Sequence, residues 1–474
     1  MKNSHSYKKF NEAQEINWLE DHILLLAKKY KEQPIEITQE LVEETKITTS
    51  ASQTKTIGIF YPRFYDGGVE RVISLQIPLF LRLGFTVILI TEEIRPELEY
   101  SLPIGVKRRT IPKHLDQGRV RELSLVLREE NIDTVIHHAS TSLNLIWDLL
   151  VTQFLRKKAI VCRHEIVCTS LLQGTKPKRL MKLILEPLIY RLSNMLVVLG
   201  KMEEDYFRAL EVKAKFIPNP RTFEFKKNPH SLKQSRKKVV WIGRLDQSTK
   251  NFKAALEIMA LLAKQEDKVE CHLVGPESDL TSRRYVEDFI VTKGLSGRII
   301  WDGRCKNIGN LLQTASVHLL TSYVESFSMS ILESKSYGVP LVLFDLSYLD
   351  LLKDGKGFIS IPQGKIKECA EAILKIIRNP ELEEKLSDEA FESVNSFYKN
   401  ADLEKLWKNI LLGTNQEDFS PKSQEFSNFV RLQNSLLKVG LSKETSSFSI
   451  KKIKSSLLKK ISRVRKKISV CLQK

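Results

Sequence analysis

Two carboxylates eight positions apart, Glu325 and Glu333, flank the point where the apolar run Val317-His318-Leu319-Leu320 gives way to a helical pattern. Between them stand Ser326, Phe327 and Ser328, whose backbone amides at a helix start can hold a phosphate. Carboxylates on either side accept hydrogen bonds from hydroxyl groups. Eight helical residues rise about 12 Å, the reach from a sugar across a diphosphate to a ribose. The ligand this spacing fits has a charged middle and hydroxylated ends, as a nucleotide sugar does. A solvated helix face accounts for two such glutamates equally well, and a second stretch decides between the readings. Val239 to Asn251 leaves another strand pattern with Gly243, Arg244 and Lys250 on one loop leading into a helix. Two cations there neutralise a diphosphate, and Gly243 lets the backbone approach it.

These loops need elements to position them. Short apolar runs recur at 56–61, 86–91, 106–111, 134–139, 159–163, 195–199 and 214–218, and again at 239–243, 270–274, 299–302, 317–320, 341–344 and 358–361. Helical patterns separate them. Strands that read as near-continuous apolar runs are covered on both faces, so the expectation is an α/β chain with two parallel, Rossmann-like sheets. Glu224 to Lys238 is polar and basic, contains Pro229 and reads as the linker. The resulting partition is an appended helix and tether at 1–54, a first domain at 55–223, the linker at 224–238, a second domain at 239–412 and a basic tail at 413–474. In open parallel sheets the ligand cleft lies outside the carboxyl ends of the strands. The chemistry-bearing stretches fall at those ends.

Gly243-Arg244-Leu245 with Lys250-Asn251, then Glu325 and Glu333 followed by Gly338-Val339-Pro340, resembles the C-terminal half of the fourth family of retaining GT-B-fold glycosyltransferases. Ile57 to Tyr61 resembles that family's first strand, Gly67-Gly68-Val69-Glu70-Arg71-Val72 its glycine-rich loop and helix start, and Phe216 to Pro220 the segment before the interdomain linker. The resemblance runs from Thr56 to Leu412. It implies a GT-B fold facing a central cleft and transfer of a sugar from a nucleoside diphosphate, with retention of configuration and without a metal. A uridine nucleotide is the commonest donor in the family. In the implied roles Arg244 and Lys250 stabilise the leaving diphosphate, Glu325 holds the donor sugar and Glu333 the ribose. His164 reaches the transferred sugar from the first domain. Gly67, Gly68, Gly243, Ser326, Phe327 and Ser328 approach the donor through their backbones, whereas Asp66, Arg71, His137 and His138 are weaker candidates on the acceptor side. Ser328 departs from the pattern, standing where many members carry glycine.

Two other function classes remain open on the sequence. A sugar-nucleotide epimerase shares the architecture but not these motifs. A non-catalytic accessory subunit would have no physical need for Arg244, Lys250, Glu325 and Glu333 together.

Composition adds location and partners. The chain of 474 residues carries a formal net charge of +18. The segment from Lys451 to Lys474 holds ten of the Lys and Arg residues and no acidic one, with Ile450, Ile453, Leu457, Ile461, Val464, Ile468 and Leu472 at three- and four-residue steps. That is the pattern of a basic amphipathic helix for an anionic membrane surface. A lipid-linked or other glycan acceptor accords with such a tail. The segment 451–474 has no aromatic residue to stack on bases, so nucleic acid is not expected. The six cysteines form no C-x-x-C pair, no ligand spacing for a metal occurs, and no run of about 18 apolar residues is present. The expected setting is cytoplasmic, peripheral at the inner face of the cell membrane, with no cofactor besides the donor.

Overall fold

The computed structural model describes residues 55–65, 67–139, 142–165, 185–222, 237–305, 307–413 and 419. The appended segment 1–54, Asp66, most of the linker and the amphipathic stretch 450–472 lie outside the described residues. All thirteen apolar runs are strands. The first seven are β1 (Thr56–Phe60), β2 (Thr86–Thr91), β3 (Lys107–Thr110), β4 (Thr134–His138), β5 (Lys158–Cys162), β6 (Met195–Val198) and β7 (Ala214–Phe216). The second set is β8 (Lys237–Ile242), β9 (Val269–Val274), β10 (Ile299–Gly303), β11 (Ala315–Leu320), β12 (Leu341–Phe344) and β13 (Phe358–Ile361).

The sheets have the orders β3-β2-β1-β4-β5-β6-β7 and β10-β9-β8-β11-β12-β13. Every strand pair within them is parallel. Each is therefore a doubly wound sheet. The strand order reverses between β1 and β4 in the first and between β8 and β11 in the second. Connections leave such neighbours toward opposite faces, and the gap this opens at the carboxyl ends is where ligands bind.

Helices cover both sheets. The first half of the chain contributes α1 (Gly68–Arg82), α2 (Arg119–Glu129), α3 (Leu143–Phe154) and α4 (Lys201–Ala209) among its described residues. The second half adds α5 (Phe252–Gln265), α6 (Leu280–Thr292), α7 (Ile308–Leu312), α8 (Met329–Ser336), α9 (Ile366–Ile377), α10 (Pro380–Asn400) and α11 (Leu403–Leu412). Helix α10 starts with Pro380 behind an Asn379 cap that accepts from Leu382 N, and its Val394 and Tyr398 pack beside Leu341 and Leu343 of the second sheet. Helix α11 behaves differently. It lies within the 239–412 span, yet Trp407, Ile410 and Leu411 pack among Ile57, Ile77 and Phe80 of the first domain, with the Phe80 and Trp407 rings edge to face at 5.1 Å. Arg82 and Glu404 add an exposed ion pair at 3.4 Å, worth little by itself. Burial of an indole contributes several kcal/mol, so the end of the second domain is fastened to the first by its apolar face.

Candidate functional site

The loops after β8 and β11 lie side by side because their strands are neighbours, with Leu319 registered on Trp241. They are stitched together at three points. Trp241 Nε1–H donates to Thr321 Oγ1 at 3.0 Å, the Thr321 hydroxyl reaches the carbonyls of Lys250 and Asn251 at 3.0 Å, and Tyr323 N donates to Thr249 O at 2.8 Å. Asn251 enters α5 with φ of 53°, a left-handed turn that asparagine tolerates. The turn aims Lys250 back across the gap. Its Nζ lies 2.6 Å from Glu325 Oε1, and the Ser322 hydroxyl donates to the same oxygen at 2.6 Å. Glu325 is held by its backbone as well, since Tyr348 OH accepts from its N–H at 2.8 Å and donates to its C=O at 3.0 Å.

Arg244 and Lys250 share a loop but not an environment. The Arg244 side chain is 62% exposed and 3.7 Å from Asp246, whereas that of Lys250 is 26% exposed and Glu325 only 7%. Gly243 is tightly enclosed: a Cβ there would sit 3.1 Å from the Trp241 ring and 3.4 Å from Lys250 Cδ.

The twelve-ångström helical spacing between the two glutamates is corrected by the structure. Helix α8 begins only at Met329, so Glu325 lies in the preceding loop and only Glu333 is helical. Ser328 is the N-cap residue, at φ 65° and ψ 87°. A left-handed residue at this position is the physical reason glycine suits it, and serine adopts the same turn at a cost. Its hydroxyl lies 3.2 Å from that of Ser330. Phe327 points its ring into the core beside Phe397, so only its backbone is available to a ligand. Ser326 lines a small cavity shared with Gly200, Met202 and Asp350.

Glu333 is paired with a different cation from Glu325. Its partner is Arg71, from the first turn of α1, at 3.3 Å. Burial pushes the Glu333 carboxyl above its ordinary value and the Arg71 charge pulls it back. Arg71, a candidate on the acceptor side, connects the first domain to the second domain's helix.

Gly67 and Gly68 open α1 as expected. A Cβ on Gly67 would come within 2.0 Å of the Glu70 carboxylate, while one on Gly68 meets nothing within 4 Å. A side chain at Gly67 would displace the Glu70 carboxylate, and Gly68 faces open space. His164 follows β5, partly exposed, with its Nε2 2.7 Å from His138 Nδ1 at the end of β4. Burial holds His164 down to about 4 and His138 well below its usual range. Strand alternation sends His137 to the other face. There it lies fully buried against Phe60, and burial with the nearby Arg119 charge lowers it to about 3. The structure therefore removes His137 from the acceptor-side candidates.

Three contributors escaped the sequence reading. Gly275 has φ of 141°, and a Cβ there would lie 1.9 Å from Gly243 O. The Gly243-Arg244 turn can form only because that position is glycine, and the signal was its place directly after β9. Thr321 and Tyr348 were missed because a hydroxyl bridging two loops leaves no spacing pattern.

With this geometry in view, the family described as glycosyl transferases group 1 matches residues 222–393. The chain resembles the group 1 glycosyltransferases. The poly(glycerol-phosphate) alpha-glucosyltransferase of Bacillus subtilis (strain 168) is 26% identical over 214 residues, which span 44% of this chain and 31% of that protein. The phosphatidyl-myo-inositol mannosyltransferase of Mycobacterium leprae (strain TN) is 26% identical over 167 residues, 34% of this chain and 42% of that protein. The chain thus spans less than half the length of these curated relatives. Among solved structures, Anabaena HepE (Alr3699) in complex with UDP-glucose superposes with a TM-score of 0.62 at 15% identity, covering 76% of this chain and 100% of that one. The fold is GT-B.

Proposed function

We propose that the protein is a glycosyltransferase that moves a sugar from a nucleoside-diphosphate sugar, a UDP-sugar in the first instance, to a glycan or lipid-linked acceptor in cell-surface polysaccharide or glycolipid assembly. The observation that carries this reading is the juxtaposition of the Arg244–Lys250 loop with Glu325 and the start of α8 at the reversal point of the second sheet. In transfer, an acceptor hydroxyl oxygen bonds to the anomeric carbon and gives up its proton to the departing phosphate or solvent, while the bond from that carbon to the phosphate oxygen breaks and its electron pair leaves on the diphosphate. Arg244, Lys250 and the amides around Ser326 to Ser328 oppose that charge where it grows. Lys250 exchanges its Glu325 partner for phosphate, and the released Glu325 carboxylate takes up sugar hydroxyls. Glu333 makes the corresponding exchange from Arg71 to ribose.

The relatives named for glycerol-phosphate polymer and phosphatidylinositol acceptors support a surface polymer or lipid as the acceptor class, and the UDP-glucose complex of a fold neighbour supports the donor class. Retention of configuration and independence of metal follow from the resemblance. The cytoplasmic, peripheral-membrane setting rests instead on the charge and apolar spacing of 450–472. A thermal-shift panel of nucleoside diphosphates and their sugars tests the donor: a ligand of the native state raises the melting temperature by mass action. UDP and a UDP-sugar should do so without added divalent metal, and the absence of a shift with every nucleotide would refute the reading.

A further inference from the structure

The pair formed by His138 and His164 contains more information than its position. The nitrogen separation is 2.7 Å, the ring centres are 5.0 Å apart and the ring planes differ by 15°. Rings that close in nitrogen–nitrogen distance and that far apart at their centres lie side by side in a common plane, not face to face. A proton between the two nitrogens then points along an in-plane lone pair, the favoured geometry for an sp² acceptor. One ring donates and the other accepts.

Which ring donates is decided by the atom on the far side of His138. His138 Nε2 is fully buried and has no hydrogen-bond partner among the described residues. A neutral imidazole carries one proton. Placing it on Nε2 would bury an N–H without an acceptor, whereas placing it on Nδ1 leaves only a lone pair unused. Orphaned N–H groups are the rarer and costlier of the two. The proton of His138 therefore belongs on Nδ1, from which it is donated to His164 Nε2. His164, its Nε2 now an acceptor, must carry its own proton on Nδ1. Burial holds both rings neutral, which keeps this arrangement intact through physiological pH.

We infer that His138 is a positioning residue that locks His164 in the Nδ1–H tautomer, so that His164 meets the substrate as a hydrogen-bond donor and the oxygen it engages is an acceptor. The inference rests on the proposed transferase reading for the identity of that oxygen, a hydroxyl of the transferred sugar, but not for the tautomer. His138 sits at the end of β4 and His164 just past β5, strands that pair directly with His138 registered on Cys162. The lock is therefore built into the sheet and is present before any ligand arrives.

The test is a long-range proton–nitrogen correlation spectrum of the full chain labelled with ¹⁵N-histidine and free of ligand, with signals assigned through His164→Gln. The expected result is a protonated Nδ1 and an unprotonated Nε2 for His164. His138→Asn, whose amide N–H replaces the ring Nδ1–H, should keep that signature and most of kcat. His138→Phe, which removes the donor that holds the ring, should lower kcat by about tenfold, the value of one hydrogen bond, with the donor KM unchanged. A protonated Nε2 on His164 in the unsubstituted protein would overturn the inference, as would equal losses of kcat in the Asn and Phe variants. Because the spectrum needs no substrate, an error in the proposed donor or acceptor would leave it readable. Should the Phe variant fail to fold, the unsubstituted spectrum and the Asn variant still decide.

Discussion

Replacing Lys250 by alanine should weaken both the fold and the reaction, whereas replacing Arg244 should weaken the reaction alone. The difference comes from Glu325. In the ligand-free protein its nearly buried carboxylate rests on Lys250 Nζ at 2.6 Å and on the Ser322 hydroxyl. Removing the lysine leaves a buried negative charge with one neutral donor. Breaking a fully buried pair costs about 3 to 5 kcal/mol and an exposed one about 0 to 1; with Lys250 a quarter exposed, about 2 kcal/mol is expected. Arg244 is mostly exposed and 3.7 Å from Asp246, so its loss should cost almost nothing. Asp246 keeps the Ser248 and Thr249 hydroxyls. For the reaction, each cation opposes charge on the departing diphosphate, and loss of such a group raises the barrier by about 3 to 4 kcal/mol. Each variant should then lose roughly 10²- to 10³-fold in turnover. Urea unfolding measures the first quantity and single-turnover transfer the second. The double variant Lys250→Ala with Glu325→Gln should regain part of the lost stability, because a buried carboxamide needs no counter-charge. If Lys250→Ala and Arg244→Ala unfold at the same urea concentration, the pairing argument fails; if Lys250→Ala retains its turnover, the phosphate role fails.

Four further outcomes follow. Ser328→Gly should stabilise the protein by about 1 kcal/mol by relieving its left-handed backbone, and Ser328→Val should destabilise it; urea midpoints read both. Glu333→Gln should weaken binding of the bare nucleoside diphosphate in calorimetry, while Glu325→Gln should spare it and lose turnover; loss of nucleotide binding in Glu325→Gln would reverse the proposed orientation. Lys335, fully buried against Leu351 O and the Ser393 hydroxyl, is lowered by burial to about 8. The folded state sheds this proton first, so between about pH 8 and 10.5 the unfolded state binds more protons, and stability relative to Lys335→Met should rise by about 3 kcal/mol across that window in unfolding titrations. Deleting residues after about 445 should release the protein from anionic vesicles in sedimentation assays without changing its melting temperature; an intact protein that stays in the supernatant would remove the membrane-surface proposal.

The strands were legible because parallel, doubly covered sheets favour short apolar runs: Thr134 to His138 and Ala315 to Leu320 are buried at every position, whereas the polar β3 lies at a sheet edge. The loops that follow β8 and β11 were legible because they gather cations and carboxylates at strand ends, where ligands of parallel sheets bind. What the sequence withheld is how those residues meet. Lys250 and Glu325 are 75 positions apart and Arg71 and Glu333 farther still; the strand order of the second sheet brings the first pair together and the packing of one domain against the other the second, and no local pattern encodes either. Gly275 and Tyr348 were hidden more deeply, since the first serves the backbone of another loop and the second holds a carboxylate by its main chain. Both ion pairs also change what the sequence implies about mechanism. Read singly, Glu325 and Glu333 are acceptors waiting for hydroxyls. In the folded protein each already has a cation, one from its own domain and one from the other. A donor must then compete for Lys250 and Arg71 before it can use either glutamate. A diphosphate, which offers those cations more charge than a carboxylate does, is the part of the proposed donor able to win that competition, so nucleotide and sugar recognition are coupled through the pairs and not merely adjacent.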